Sequence, residues 1–301
     1  RIQTATASRS LQRARERVIE FFLFLAALSS VLITVGIVTV LVFESLQFFK
    51  HVSIFEFLTD TQWTVLFADP HYGIMPLVTG TLVTSILALL VSLPLGTVIA
   101  IYLSEYANTR AREILKPILE LLSAVPTVVL GYFALLFLTP LLQRFLPSLP
   151  GFNMLSAGIV IGIMIIPYVS SLSEDAIRAV PGHIREGSYA MGATRLQTSL
   201  RVPFPAAFSG IASAYVLGFS RAVGETMIVA VAAGTQPNLT LNPMEGAATI
   251  TAYIVQVSLG DLPHGSIAYQ SIFAAGLSLM LMTLIFNIGG YLLRKRFREI
   301  Y

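Results

Sequence analysis

Residues Leu77 to Leu103 read LVTGTLVTSILALLVSLPLGTVIAIYL, a run without one charged side chain. About 20 apolar residues carry a helix across the hydrocarbon core of a bilayer, and this stretch is long enough. Outward from it, five further stretches qualify: Val18–Phe43, Pro117–Leu142, Leu155–Leu172, Ala206–Gly234 and Ala268–Leu293. Leu155–Leu172 is the shortest. The pattern predicts an all-α polytopic membrane bundle of six transmembrane helices. Composition agrees, with 55% hydrophobic and 12% charged residues where soluble domains average about 25% charged. Mean hydropathy is +0.78. The apolar residues come in blocks rather than amphipathic stripes, which favours one membrane domain over two soluble ones.

Placement of the basic residues predicts orientation. Arg1, Arg9, Arg13, Arg15 and Arg17 precede the first span, and Arg110, Arg112 and Lys116 lie between the second and third. Arg178, Arg185, Arg195 and Arg201 separate the fourth and fifth; Arg294, Lys295, Arg296 and Arg298 follow the sixth. Sixteen of the nineteen basic residues therefore share one side, with Lys50 and Arg144 opposite and Arg221 inside a span. The positive-inside rule places that side, and both termini, in the cytoplasm. Val18–Phe43 is too long for a signal-peptide core, and no small-residue cleavage site follows it before Glu44, so it reads as an uncleaved helix.

Between Thr235 and Ile267, Ile250, Ile254 and Val257 stand at helical spacing. A short helix is expected there, lying at the outer interface or dipping into the bundle. Pro94, Pro126 and Pro167 read as kinks whose freed carbonyls find partners on neighbours. Gly158 and Gly162, and Gly210, Ala214 and Gly218, read as small faces for close helix packing.

Several chemistries are excluded. The three lysines are followed by His51, Pro117 and Arg296, so no Walker-type phosphate loop exists. His51, His71, His183 and His264 form no metal-spaced pair, and there is no cysteine, which removes disulfides and thiolate metal sites. No Gly-x-Ser-x-Gly element occurs, and no basic stretch interleaves with aromatics for nucleic acid. No catalytic residue, metal site or bound cofactor is expected.

The segment Glu186-Gly187-Ser188-Tyr189-Ala190-Met191-Gly192-Ala193-Thr194 runs on to Val202-Pro203-Phe204-Pro205 and is bounded by Pro181-Gly182. A short helix, a turn at glycine and a second helical piece fit it. It resembles the EAA loop in permease subunits of binding-protein-dependent ABC importers: Glu-Ala-Ala, three residues, Gly, nine residues, then Ile-x-Leu-Pro. Glu186 and Gly192 keep that separation, with Gly187 and Ser188 replacing the alanines. The resemblance covers roughly Gly80 to Leu293. It implies a cytoplasmic coupling loop at 173–205 within a transmembrane core at 77–295, while 1–76 holds a cytoplasmic segment, an accessory helix and an external loop. It further implies that Glu186, Gly187, Ser188, Tyr189, Ala190 and Gly192 dock into a separate ATPase subunit, which holds the ATP and Mg.

Within the fifth span, Phe219-Ser220-Arg221-Ala222-Val223-Gly224-Glu225-Thr226 carries two charges. An arginine at a helix centre costs about 2.5–3.5 kcal/mol on insertion scales. Residues four apart share a helix face, so Arg221 and Glu225 are expected to pair and to face the bundle interior or an aqueous path. They read either as a structural ion pair or as a transient anion contact by Arg221, with Ser220 and Thr226 beside it on the substrate path. Arginine's planar fork suits phosphate. The Arg-Ala-Val-Gly-Glu-Thr run, the stretch Thr251-Ala252-Tyr253-Ile254-Val255-Gln256 with Ser258-Leu259-Gly260-Asp261, and Ser271-Ile272-Phe273-Ala274-Ala275-Gly276 resemble phosphate-specific transport permeases of the PstC type. The resemblance implies inorganic phosphate import across a bacterial inner membrane by alternating access. A PstA-type permease, a PstB-type ATPase dimer and a PstS-type periplasmic phosphate-binding protein are the implied partners. Sulfate or molybdate import, or a secondary transporter or channel without an ATPase, are the alternatives.

Overall fold

The computed structural model describes residues 2–65, 67, 69–260, 262–263 and 265–296. Arg1, Asp261, His264 and Arg298, named above, lie outside the described residues. The described chain is helical, with one isolated antiparallel bridge between Trp63 and Tyr72.

Helix α1 (Ile2–Phe48) leads into the short α2 (Ile54–Thr59), which Ser53 caps by accepting from the Phe55 amide. Next comes α3 (Met75–Ile101), which starts with Pro76, where a missing N–H has no consequence. It ends in a π turn (Tyr102–Tyr106). The chain then forms α4 (Thr109–Ser123), α5 (Thr127–Phe133), a second π turn (Ala134–Leu138) and α6 (Thr139–Gln143). Helix α7 (Met154–Arg178) is capped by Asn153, which accepts from the Ser156 amide at 2.8 Å. Beyond it lie α8 (Gly182–Ala190), α9 (Arg195–Arg201), α10 (Pro203–Ala206), α11 (Phe208–Val223), α12 (Met227–Ala232), α13 (Ile250–Ser258) and α14 (Ile267–Arg296).

Helices α3 and α7 form the centre. Gly158 and Gly162 on α7 let α3 approach so closely that an added Cβ would stand 2.5 Å from the Leu87 Cβ and 2.7 Å from the Ala88 carbonyl. In lipid, small faces substitute for the hydrophobic drive available in water. Around this contact Ala88, Met154, Ile161, Met164, Ile165 and Ile228 form the main core. Helix α11 packs against both α7 and α3 and against α14, and α1 lies along α14. At one end an aromatic cluster of Phe48, Phe57, Trp63, Tyr72 and Tyr253 joins the segment after α1 to α13 and α14. At the other end Ala100, Ile177, Val180, Ala207 and Ile211 form a smaller cluster. Leu90, Val98 and Ile285, each about two-thirds exposed, point outward as lipid-facing residues do.

Among the described residues, four helices are individually long and apolar enough to span a membrane, and up to six spans result when two bent pairs each count as one. Those bends correct two expectations. Pro117–Leu142 is not one helix: α4 and α5–α6 meet at 86°. Pro126 lacks a helical donor and disfavours helical geometry at Val125, and the chain breaks here, whereas Pro94 and Pro167 stay inside α3 and α7. Helix α4, with Arg110, Arg112, Glu113, Lys116 and Glu120, buries none of its residues, and the apolar crossing starts at Thr127. Ala206–Gly234 is likewise not one helix: the second bend, 73°, separates Arg195–Ala206 from Phe208–Val223, and the chain is interrupted again at Gly224–Thr226 between α11 and α12. The expected short helix exists as α13, and it dips inward: Ile250 and Tyr253 are buried, and its contacts are with α3, α12 and α14.

Candidate functional site

Beyond α7 the chain forms a helical hairpin. Helix α8 starts straight after Pro181 and buries none of its residues. Gly192 ends it with φ +79°, a left-handed conformation that glycine adopts without strain. The Gly192 amide donates to the Tyr189 carbonyl at 2.9 Å, and the Ala193 amide to Ser188. Thr194 and Gln197 then form a reciprocal capping box that starts α9. Ser188 and Thr198 hydroxyls, 2.9 Å apart, pin the two helices together. Glu186, Gly187, Tyr189 and Ala190 remain exposed, as does Gly192 at the tip. Four large apolar side chains stand exposed among the hairpin's polar ones: Met191 is 88% exposed, Leu196 58%, Leu200 47% and Tyr189 43%. Pro203 and Phe204 anchor the far end of the hairpin beside Ile177 and Ile211.

The base of the hairpin is held by ionic contacts. Arg185 Nε and Nη2 both donate to Glu105 Oε1, at 3.1 and 3.0 Å. The same guanidinium donates to the carbonyls of Val180 and Ile177, at 2.6 and 2.7 Å. Those carbonyls lie in the last turn of α7 (Ile177) and just beyond it (Val180), where backbone acceptors lack helical donors and the helix dipole is negative. Nearby, Glu174 is fully buried and pairs with Arg112 and with Lys116, the latter at 3.1 Å. Lys116 also reaches Asp175 at 3.2 Å. Charge pairs of this kind tie α4 to α7, and removing one partner of a buried pair costs about 3–5 kcal/mol. The sequence counts these cations only as orientation signals. It shows Glu105 and Glu174 on the same side as the basic loops, but spacing cannot tell which acid meets which base.

In the fifth span the expected pair is absent. Helix α11 ends at Val223, so Arg221 and Glu225 no longer share a continuous helical face. Glu225, 8% exposed, turns back to accept from the amides of Met227 and Ile228, at 3.2 and 3.5 Å. The freed Glu225 carbonyl accepts from the Thr251 hydroxyl of α13 at 2.7 Å. Buried backbone groups in a membrane need such partners. Arg221 is exposed, and its guanidinium lies 4.6 Å from the centroid of the Tyr168 ring on α7. Tyr168 also lines a recess of about 230 Å³ with Glu120, Ser123, Pro167, Ser171 and Leu172. Ser220 donates to Val216 and to Asn287, each at 3.0 Å, and Thr226 donates to the Gly224 carbonyl. Arg221 is thus the exposed member of this group, resting on an aromatic ring rather than on a carboxylate.

Residues 92–299 match the family of binding-protein-dependent transport system inner membrane components. The chain belongs to that family. A probable ABC transporter permease protein, YqgH of Bacillus subtilis, is 36% identical over 288 residues, covering 95% of this chain and 92% of its own length. Phosphate transport system permease protein PstC of Mesorhizobium japonicum is 31% identical, covering 80% of this chain and 79% of the relative. A solved structure of the MetNI methionine ABC transporter in inward-facing conformations aligns with TM-score 0.55 at 18% identity, over 75% of this chain and 95% of that one. This last likeness is one of fold. The chain is therefore a multi-pass inner-membrane permease subunit of an ABC importer, a family whose members work with ATPase and substrate-binding partners.

Proposed function

We propose that this permease subunit carries inorganic phosphate inward by alternating access, driven by ATP that binds with Mg to a separate ATPase dimer. The observation that supports the ATP-driven reading is the α8–α9 hairpin, which presents Tyr189, Met191, Leu196 and Leu200 outward from a base anchored in α7. Large apolar side chains exposed along a polar hairpin suit a protein cleft better than water. In this reading Glu186 through Gly192 dock on the ATPase on the cytoplasmic side, and a PstA-type permease and a PstS-type binding protein complete the complex. The chain itself does no covalent chemistry and binds no cofactor. The segment 1–76 is accessory to a core at 77–295.

Phosphate as cargo is supported by the relatives named as phosphate permeases and by the exposed guanidinium of Arg221, with Ser220 and Thr226 close to it in sequence. Without a paired carboxylate, Arg221 is held by an aromatic face that a stronger acceptor displaces. Uptake of labelled phosphate into proteoliposomes holding the complete complex tests the assignment. Competition by unlabelled phosphate, with sulfate and molybdate ineffective, is the expected result; displacement by sulfate or molybdate at equal concentration overturns it.

A further inference from the structure

Both arms of the hairpin grip one short turn. From α8, Arg185 forks onto Glu105. From α9, the Arg195 guanidinium lies 5.0 Å from the centroid of the Tyr106 ring. Glu105 and Tyr106 are the last two residues of the π turn that ends α3. That turn continues the helix making the most extensive contact with α7, and π turns recur where helices must yield for function. Glu105 and Arg185 are mostly buried, with side chains 5% and 18% exposed. Water therefore screens their contact poorly, and the pair resists sliding. Tyr189, Met191, Leu196 and Leu200, by contrast, are exposed.

We infer that Arg185 and Glu105 form the joint through which displacement of the hairpin is delivered to α3, with Arg195 on Tyr106 as its second point of hold. Arg185 acts as a positioning residue: it touches neither cargo nor nucleotide. Four hydrogen bonds from one guanidinium fix α8 to the end of α7 and to the end of α3 together. A pull on α8 thus moves both central helices in the same step. Lysine at this position keeps the charge but loses the planar fork. The inference rests on the proposed ATPase docking of the hairpin.

The test uses the complete complex in proteoliposomes. This chain lacks cysteine, so Gln236→Cys at the opposite, outer end supplies a single thiol whose labelling reports the stroke. ATP should change that labelling in the otherwise wild-type chain. Arg185→Ala and Glu105→Gln should each reduce the ATP-dependent change at least fivefold, with the ATPase subunits still co-purifying. Glu105→Gln is isosteric and guards against simple misfolding. Because both substitutions break one joint, the double variant should match the weaker single variant, and Arg185→Lys should fall between wild type and alanine. A full labelling response in Arg185→Ala, or losses that multiply in the double variant, overturns the joint. Failure of the phosphate assignment looks different: the wild-type labelling responds to ATP while no phosphate enters.

Discussion

The Arg221 guanidinium stacks over the Tyr168 ring at 4.6 Å, and Glu225, four residues on, bonds to the amides of Met227 and Ile228 instead. A charge resting on an aromatic face is held without being neutralised, so it stays available to an anion. Arg221→Ala should abolish uptake while the complex still assembles, and Arg221→Lys should retain a fraction of it. Replacing Tyr168 with leucine frees the guanidinium and should change the apparent phosphate affinity by roughly two- to fivefold. Normal transport by the alanine variant would remove Arg221 from the pathway.

Glu225 needs an acceptor oxygen more than a charge. Its Oε1 serves the first amides of α12, a role glutamine's carbonyl can fill. Glu225→Gln is expected to unfold in detergent close to the wild-type temperature. Glu225→Ala should lose about 1–2 kcal/mol, as other lost caps do. Equal loss in both variants would show that the charge itself matters.

Gly192 is demanded by backbone conformation, since a Cβ there would meet nothing within 4 Å. With φ at +79°, alanine should cost about 1–2 kcal/mol locally, asparagine less, and a β-branched residue most. Retention of the ATPase subunits on purification should follow the same order, Gly, Asn, Ala, Val. Steric crowding at the tip would instead rank the variants by size.

At Gly162 the opposite cause applies. An added Cβ would lie 2.7 Å from the backbone carbonyl of Ala88, which cannot swing aside. Gly162→Ala should therefore destabilise by about 1–3 kcal/mol despite adding one methyl group. Thermal unfolding of the purified chain measures it, and an unchanged midpoint would mean that α3 and α7 separate easily.

Outside the membrane spans, His71 Nδ1 lies 3.0 Å from Asp60 Oδ2. The hydrogen bond to Asp60 raises the His71 pKa above the ordinary 6.5, against the opposing effect of burial, with further help from the Asp60, Asp69 and Glu56 charges. Burial pushes the Asp60 carboxyl upward, but the His71 bond and the Gln62 and Thr61 amides outweigh it and leave it below 3.8. A raised histidine stabilises the fold fully below its unfolded pKa and ceases to do so as pH rises through the folded value. A lowered carboxyl stabilises above its unfolded pKa and fails as pH falls through the folded one. Packing of this loop should accordingly be tightest between about pH 4 and 6.5 and loosen as pH rises through the raised His71 pKa. Trp63, the sole tryptophan, reports it by fluorescence; His71→Gln should flatten the alkaline side of the profile.

Where tertiary contacts do not intervene, the linear code is legible. Leu77–Leu103 is apolar enough to be a membrane helix in any context, and α3 covers most of it. Gly192 reads as a turn because few other residues tolerate its backbone angle, and Ile250, Ile254 and Val257 declare a helical face by spacing alone. Such features depend on one residue or one period, so neighbours in space are not needed to see them.

The bends and the ion pairs are different in kind. Whether Pro126 kinks a span or ends it depends on what receives α4, and the answer is Glu174 and Asp175 on α7, about sixty residues distant along the chain. Arg221 and Glu225 satisfy the helical pairing rule, yet Thr251 from α13 takes up the carbonyl that the break exposes and so makes an interrupted helix affordable. Hydrophobic period and backbone preference are local energies, and they set which segments are apolar helix and where a turn is favoured. Which buried donor meets which acceptor is a choice among distant groups, made only when the helices pack.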